Sequence, residues 1–392
     1  MRLKDIQEAI TASSADGWLF YDIHKRDEIA YRILGVDDKK LTTRRWFYFV
    51  PATGNPAKLV HKIEASRLDE IPGEKVVYVS WGDMHNKLEG ILHERRRVFM
   101  QFSPQCNIPS VSLVDAGTVD LIRSLGKEVL SSANLVQLFE ATIDDEGVRL
   151  HESAAAKIQR IKDQAFELAA DSIKSSKRVT EHDVQQFILQ EFEDKSLTCD
   201  GLHPIVAVNA HAADPHFEVS QQGSSPIESG DRLLIDLWAR EDVPKGIYYD
   251  ITWCAFMGAE PEPDYEKLFG VVVQARKRTK DFIAERINNG TPVCGWEADE
   301  VCRNFIREQG YAEYFIHRTG HSIHRAVHGN GVNLDNLETK DERQIIPGTC
   351  FSIEPGIYKD DIGVRSEINM LIDSSRRIVV AGAEQEQLLR LK

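Results

Sequence analysis

The alternation of apolar and polar positions along the chain falls into three regimes. Over the first 145 residues, short aromatic and β-branched runs (WLFYDI from Trp18, WFYFVP from Trp46, KVVYVSW from Lys75, RRVFMQF from Arg96, SVSLVDAG from Ser110) alternate with polar, helix-compatible stretches. Runs of that length and composition predict strands, and their rhythm predicts an α/β domain. Near residue 145 the period changes. HESAAAKIQRIKDQAFELAADSIK, residues 151–174, reads as a long amphipathic helix, and a second helix follows through VQQFILQEF. Thr180 is its expected N-cap, with Asp183 three residues on as a weaker form of the capping box.

From about 203 to 257 the pattern predicts strands, and then the order repeats. DYEKLFGVVVQARKRTKDFIAERI and WEADEVCRNFIREQG read as two more helices, and 313–373 as strands and loops. The halves share no visible sequence identity. What they share is element order and the placement of acids, because each half is expected to end in a strand pair with a carboxylate on each strand: Asp236 and Asp250, then Glu354 and Glu367.

A carboxylate within a strand commonly faces water. In LLIDLWA and CFSIEPG, however, the flanking residues are apolar on both faces, as in a strand covered on both sides. A charge buried there without a partner costs several kcal/mol, so the group must be protonated, ion-paired or metal-bound. The four strands offer mainly Arg365, one cation for four anions. The deficit points to cations supplied from outside the chain, and two divalent ions sharing carboxylates would balance it.

The segment FIHRTGHSIHRAVHGNG adds His317, His321, His324 and His328, four of the thirteen histidines. Such a cluster suits a metal or catalytic site. Gly320, Gly329 and Gly331 favour a loop or irregular strand there over a helix.

Bulk properties narrow the field further. The net charge of −14 disfavours nucleic acid and anionic membrane as partners, and nowhere do about 18 apolar residues run together. The start of the chain has no secretory leader pattern. Six scattered cysteines without a CxxC pair suggest reduced thiols in a cytoplasm.

With these motifs the chain resembles the M24 metallopeptidases of pita-bread fold, a family that includes methionine aminopeptidase, prolidase, aminopeptidase P and creatinase. The motif resemblance covers residues 146–392. Residues 1–145 resemble the N-terminal domain of the creatinase, prolidase and aminopeptidase P branch, which methionine aminopeptidases lack. The implied architecture is α/β (α+β), a creatinase/prolidase-like domain followed by a pseudo-two-fold catalytic domain. The family's metal set, Asp, Asp, His, Glu, Glu in chain order, maps onto Asp236, Asp250, His321, Glu354 and Glu367. His216, His317, His328 and Arg365 match its substrate-contacting histidines and the arginine of the relay behind the metals.

The resemblance implies an exopeptidase that cleaves Xaa-Pro bonds in dipeptides or short peptides by attack of a metal-bridging hydroxide. Glu354 would move the proton, His317 or His216 would stabilise the oxyanion, and His328 would position the residue after the scissile bond. It also implies two divalent ions, with manganese first and cobalt, zinc or iron as alternatives, and a homodimer. An alternative on the same fold is hydrolysis of a C–N bond in a small metabolite, and a third reading is a non-catalytic metal-holding protein. The chain departs from the family in a longer connection between Asp236 and Asp250 and in SIHRAV, which adds His324 and Arg325 after the metal histidine. Both changes bear on substrate choice.

Overall fold

The computed structural model describes residues 3–392, which divide into two compact units, the first ending at Glu140 and the second spanning Ala141–Lys392. The first unit contains α1 (Leu3–Ala12), β1 (Gly17–Asp22), α2 (Glu28–Leu34), β2 (Trp46–Pro51), β3 (Ala57–His61), β4 (Glu74–Tyr78), α3 (Trp81–Ile91), β5 (Arg97–Met100), α4 (Ala116–Ser124), β6 (Glu128–Ser131) and α5 (Ala133–Glu140). Its six strands form one mixed sheet in the order β4-β3-β2-β1-β5-β6. Side-chain alternation on β1 explains the layering: Trp18 and Phe20 pack under α1, α2 and α5, while Leu19 and Tyr21 pack under α3 and α4.

One expectation for this unit fails. The run from Ser110 is no strand, because Pro109 opens a single 3-10 turn and Asp115 then caps α4 through the Thr118 amide. Conversely, β3 and β6 are short and half polar (AKLVH, EVLS), and periodicity did not reveal them.

The second unit repeats one motif. Its first half is α6 (Asp145–Lys174), α7 (Glu181–Asp194), β7 (Leu197–Thr198), β8 (Ile205–Val208), β9 (Arg232–Glu241) and β10 (Tyr249–Phe256). The second half is α8 (Pro263–Asn288), α9 (Gly295–Glu308), β11 (Ser322–Ile323), β12 (Thr349–Ile353), β13 (Gly356–Lys359), β14 (Ile362–Arg365) and β15 (Ile368–Ile372), with β16 (Ile378–Val380) and β17 (Leu389–Arg390) closing the chain. In each half a long helix and a 14-residue helix precede the strands. In each, a short strand pairs antiparallel with the strand that carries or leads into the first acid: β8 with β9, and β11 with β12. The cap of α7 is a complete capping box, because the Asp183 carboxylate reaches back to the Thr180 amide at 2.8 Å while the Thr180 hydroxyl accepts from the Asp183 amide.

β9 and β10 present two different faces. Leu233, Ile235, Leu237 and Ala239, with Tyr249, Ile251 and Trp253, pack against α6 and α7 in the largest core. The opposite face carries Leu234, Asp236 and Trp238 on β9 against Cys254, Thr252 and Asp250 on β10. The two halves are joined at this face by Asn369, whose amide both donates to Asp250 O and accepts from Asp250 N, each at 2.8 Å.

His151 of α6 fixes the start of β10. Its Nδ1 donates to Tyr248 O at 2.7 Å, and its Nε2 is buried without a partner. Burial holds the ring neutral and pushes its pKa down to about 4, so an unfolded chain takes up a proton there more readily than the folded one does. The stabilisation is therefore complete above pH ~6.5 and is lost as pH falls towards 4. Urea unfolding at pH 7.5 and pH 5 should show about 2 kcal/mol less stability at the lower pH from this residue alone. His151→Gln, which keeps a donor without a titrating ring, should lose that part of the pH dependence.

Candidate metal centre

Asp236 is the fifth residue of β9 and Asp250 the second of β10; the ladder pairs Asp236 with Thr252 and Asp250 with Trp238, so both carboxylates lie on the face turned away from α6 and α7. The second half places its acids differently from the expectation. Glu354 follows the last residue of β12, and Glu367 precedes the first of β15. Because β12 pairs with β15 through Ile353 and Ile368, the two glutamates leave the same end of one ladder, where the carboxylates escape the strand alternation. The chain between them forms the β13–β14 hairpin, which supplies Tyr358 and Arg365.

His321 lies just before the short strand β11 in an otherwise irregular segment. Gly320 lets that segment approach β12: a Cβ there would stand 2.0 Å from Ser352 O. The Ser352 hydroxyl then accepts the His321 amide at 2.9 Å and donates to Glu354 Oε1 at 2.9 Å. One serine thus places a histidine and a glutamate together.

Asp250, His321 and Glu367 each offer a ligand atom within 4.8 Å of the other two, and all three are buried. His321 Nε2 lies 3.6 Å from Asp250 Oδ2 and 3.2 Å from Glu354 Oε1. Asp236 joins the cluster through Arg365, whose guanidinium donates to Asp236 Oδ2 and, from Nε, to Thr252 Oγ1 at 3.0 Å. The Thr252 hydroxyl in turn donates to Glu367 Oε2 at 2.9 Å.

This site is short of positive charge. Burial raises the Asp236 carboxyl in spite of Arg365. Burial, with the Asp236 and Glu354 charges behind it, pushes Asp250 up to about 7, and burial together with Asp250 carries Glu367 well above the carboxylate range. Glu354 moves the other way: burial opposes its charge, but His321, His317 and Arg365 outweigh it. For His321 burial opposes protonation, while the hydrogen bond to Asp250 and the Glu354 charge raise it.

Asp236 Oδ1, Asp250 Oδ1 and Glu367 Oε1 are all buried and accept no hydrogen bond from the described residues. Three acceptor oxygens on three acids, beside an imidazole nitrogen, form an oxygen-rich donor set open to hard divalent cations. The residues therefore fit such ions.

The remaining predicted residues surround this cluster. His317 Nδ1 donates to Arg318 O at 2.7 Å, and Nε2 faces the Tyr358 hydroxyl at 2.9 Å; burial pushes the ring down to about 4. Arg365 Nη1 donates to the same hydroxyl at 2.8 Å, making a chain Asp236–Arg365–Tyr358–His317. Both ring nitrogens of His317 are thus taken, which leaves it no free donor for an oxyanion. His216 is exposed, and its ring has no hydrogen-bond partner among the described residues. The His328 ring lies edge-on to His321 at 4.4 Å, and the His321 charge, then burial, lowers its pKa to about 3. His324 turns away, its Nε2 directed at Thr142 O.

Sequence reasoning missed Tyr358, Thr252, Ser352 and Asn369. Only Tyr358 had a readable signal, its place four residues after Glu354 in EPGIY.

Residues 153–374, more than half of the chain, match the sequence profile of metallopeptidase family M24. A putative Xaa-Pro aminopeptidase of Mycoplasma pneumoniae is 27% identical over 202 residues, which cover 51% of this chain and 52% of that protein. The chain spans about half the length of the curated relatives it matches. Among solved structures, dipeptidase PepE of Mycobacterium ulcerans superposes with a TM-score of 0.65 at 20% identity, covering 100% of this chain and 97% of that one. The X-prolyl aminopeptidase of Caenorhabditis elegans, described as a cytosolic enzyme with a di-nuclear active site, does so with a TM-score of 0.61 at 15% identity, covering 96% and 60%. These superpositions establish the pita-bread fold behind an α/β unit. By sequence profile and by fold, the chain belongs to metallopeptidase family M24.

Proposed function

We propose that the protein is a dinuclear-metal exopeptidase that hydrolyses the peptide bond between an N-terminal residue and a following proline. The observation that carries this reading is the set of three buried carboxylate oxygens without a donor around His321. Asp236, Asp250, His321, Glu354 and Glu367 would hold two divalent ions, which when bound supply Lewis acidity and a nucleophile at neutral pH. Manganese is our first choice for a ligand set of one imidazole and four carboxylates.

The chain's own groups then have separable tasks. Glu354, lowest in pKa of the four acids by direction and oriented by Ser352, takes a proton from the attacking water and passes it to the leaving nitrogen. His216, with its ring free, faces the scissile carbonyl oxygen as charge develops there. His317 is instead a positioning residue: locked between Arg318 O and Tyr358, it steadies the Arg365 guanidinium and through it Asp236. His328, held neutral beside His321, positions the residue after the scissile bond. A bond to proline has no N–H, so an enzyme that grips the free amino terminus can act where proteases that need that donor fail.

We further propose that residues 1–145 are the creatinase/prolidase-like domain, that the protein is a homodimer, and that it works in the cytoplasm. Six free cysteines accord with a reducing compartment, and no described helix is long and apolar enough to cross a membrane.

Two outcomes test this reading. Adding manganese to metal-free protein at about 100 times its dissociation constant should stabilise it by about 2.7 kcal/mol, read as a rise in Tm. Asp250→Asn should remove most of that rise and lower kcat/KM by more than a hundredfold while leaving the far-ultraviolet circular dichroism spectrum unchanged. Full metal content and rate in this variant would contradict the ligand assignment. In the second experiment, peptides Xaa-Pro and Xaa-Pro-(Ala)n of increasing length are incubated with the manganese form. Proline release from dipeptides alone marks a dipeptidase, release of the first residue from longer peptides marks an aminopeptidase, and hydrolysis of neither would end the Xaa-Pro reading.

A further inference from the structure

The face of β9 that carries Asp236 also carries Trp238, which the ladder sets directly opposite Asp250. Cross-strand neighbours on one face have Cβ atoms about 5 Å apart, so the indole starts beside the carboxylates. Its neighbours in sequence on the other face, Leu237 and Ala239, are fully buried, whereas Trp238 is only half-buried. At the far side of the acids the same face is closed: Leu234, Cys254 and Phe256 pack into a core with α8 and α9. Beyond Trp238 lies Arg240, which is tied away from the acids by its pair with Asp200 at 2.9 Å. Trp238, which also packs against the core under α6 and α7, is therefore the partly exposed side chain of this row that borders the acids.

The indole also packs against a cluster drawn from both halves of the unit, with Ile247 and Tyr248 from the first and Ile323 and Val327 from the segment carrying His321 and His328. It thus stands where the strand bearing Asp250 meets a cluster to which the histidine segment contributes. The Trp238 Nε1 hydrogen is buried and has no acceptor among the described residues, a donor left for a ligand to satisfy.

The geometry points to Trp238 as the residue that sets the size of the side chain accepted on the amino side of the scissile bond. This assignment rests on the exopeptidase reading. The ammonium of the first substrate residue is drawn to the carboxylates, and its side chain branches one Cα away, within reach of the group opposite Asp250. The residue after the scissile bond is one Cα–Cα step of 3.8 Å farther on. A rigid indole packed against that cluster leaves room there for a small side chain and excludes a large one. Methylene-sized differences in such a pocket change rates by roughly 10–200-fold.

The experiment compares wild type, Trp238→Ala and Trp238→Phe, all full-length and manganese-loaded, on Xaa-Pro substrates with Ala, Leu or Phe as the first residue. Wild type should favour Ala over Leu and Phe by at least tenfold in kcat/KM. Trp238→Ala should shift that ratio at least tenfold towards the large residues, and Trp238→Phe should keep it. Titration calorimetry with free L-alanine and L-leucine, read as Kd, should show the same change of order without any turnover. Should Trp238→Ala not fold, Trp238→Leu takes its place, with a shift in the same direction. A ratio and a Kd order both within twofold of wild type, in a folded variant with full metal content, overturn the assignment. If wild type hydrolyses no Xaa-Pro peptide, the exopeptidase reading falls by itself. The calorimetric order then still decides whether Trp238 walls an amino-acid pocket.

Discussion

Four carboxylates enclosed with a single guanidinium set the terms for the rest of the second unit. Arg365 neutralises Asp236, and burial pushes Asp250 and Glu367 towards their protonated forms. Converging acids of this kind destabilise a fold unless cations compensate them, and the chain invests much structure in holding them together. Asn369 clasps Asp250 across the two halves, Ser352 binds His321 to Glu354, and Thr252 spans Arg365 and Glu367. None of these groups ionises in the physiological range. They fix geometry without adding to the charge problem.

Chemistry and packing are divided between the two faces of one strand pair. The face of β9 and β10 towards α6 and α7 is almost entirely apolar, which makes the ladder rigid. The opposite face is closed by a core at one end, carries the acids at its centre, and ends in a half-buried indole. Rigidity behind the site is what a preorganised centre requires. The second half reaches the same place by another route. Its glutamates sit just beyond strand ends, and the hairpin inserted between them delivers the tyrosine and arginine that bridge to the first half.

The histidines show how position divides one residue type into several roles. His321 is drawn towards its charged form by the acids around it, while His317 and His328, a few residues away, are held neutral. His317 has both nitrogens committed to the chain, and His216 has neither. Their sequence spacing carries none of this, because it depends on which backbone oxygen or hydroxyl lies opposite each ring.

The sequence by itself determined which side chains were candidates for the site. Acids inside apolar runs, too few basic residues to pair with them and a dense histidine run pointed to metal chemistry, and the order Asp236, Asp250, His321, Glu354, Glu367 tied it to a family. Repetition of long helix, short helix and strands disclosed the two-half plan, since helical periodicity survives over fourteen or more residues. The tertiary structure alone decided what depends on register between distant segments: that Glu354 and Glu367 leave one ladder end, that Tyr358 occupies the second nitrogen of His317, and that Trp238 faces Asp250. A strand of four or five half-polar residues, such as β3 or β6, has too few alternations to be read, and the side of a strand on which a side chain stands is known only once its partner is in place.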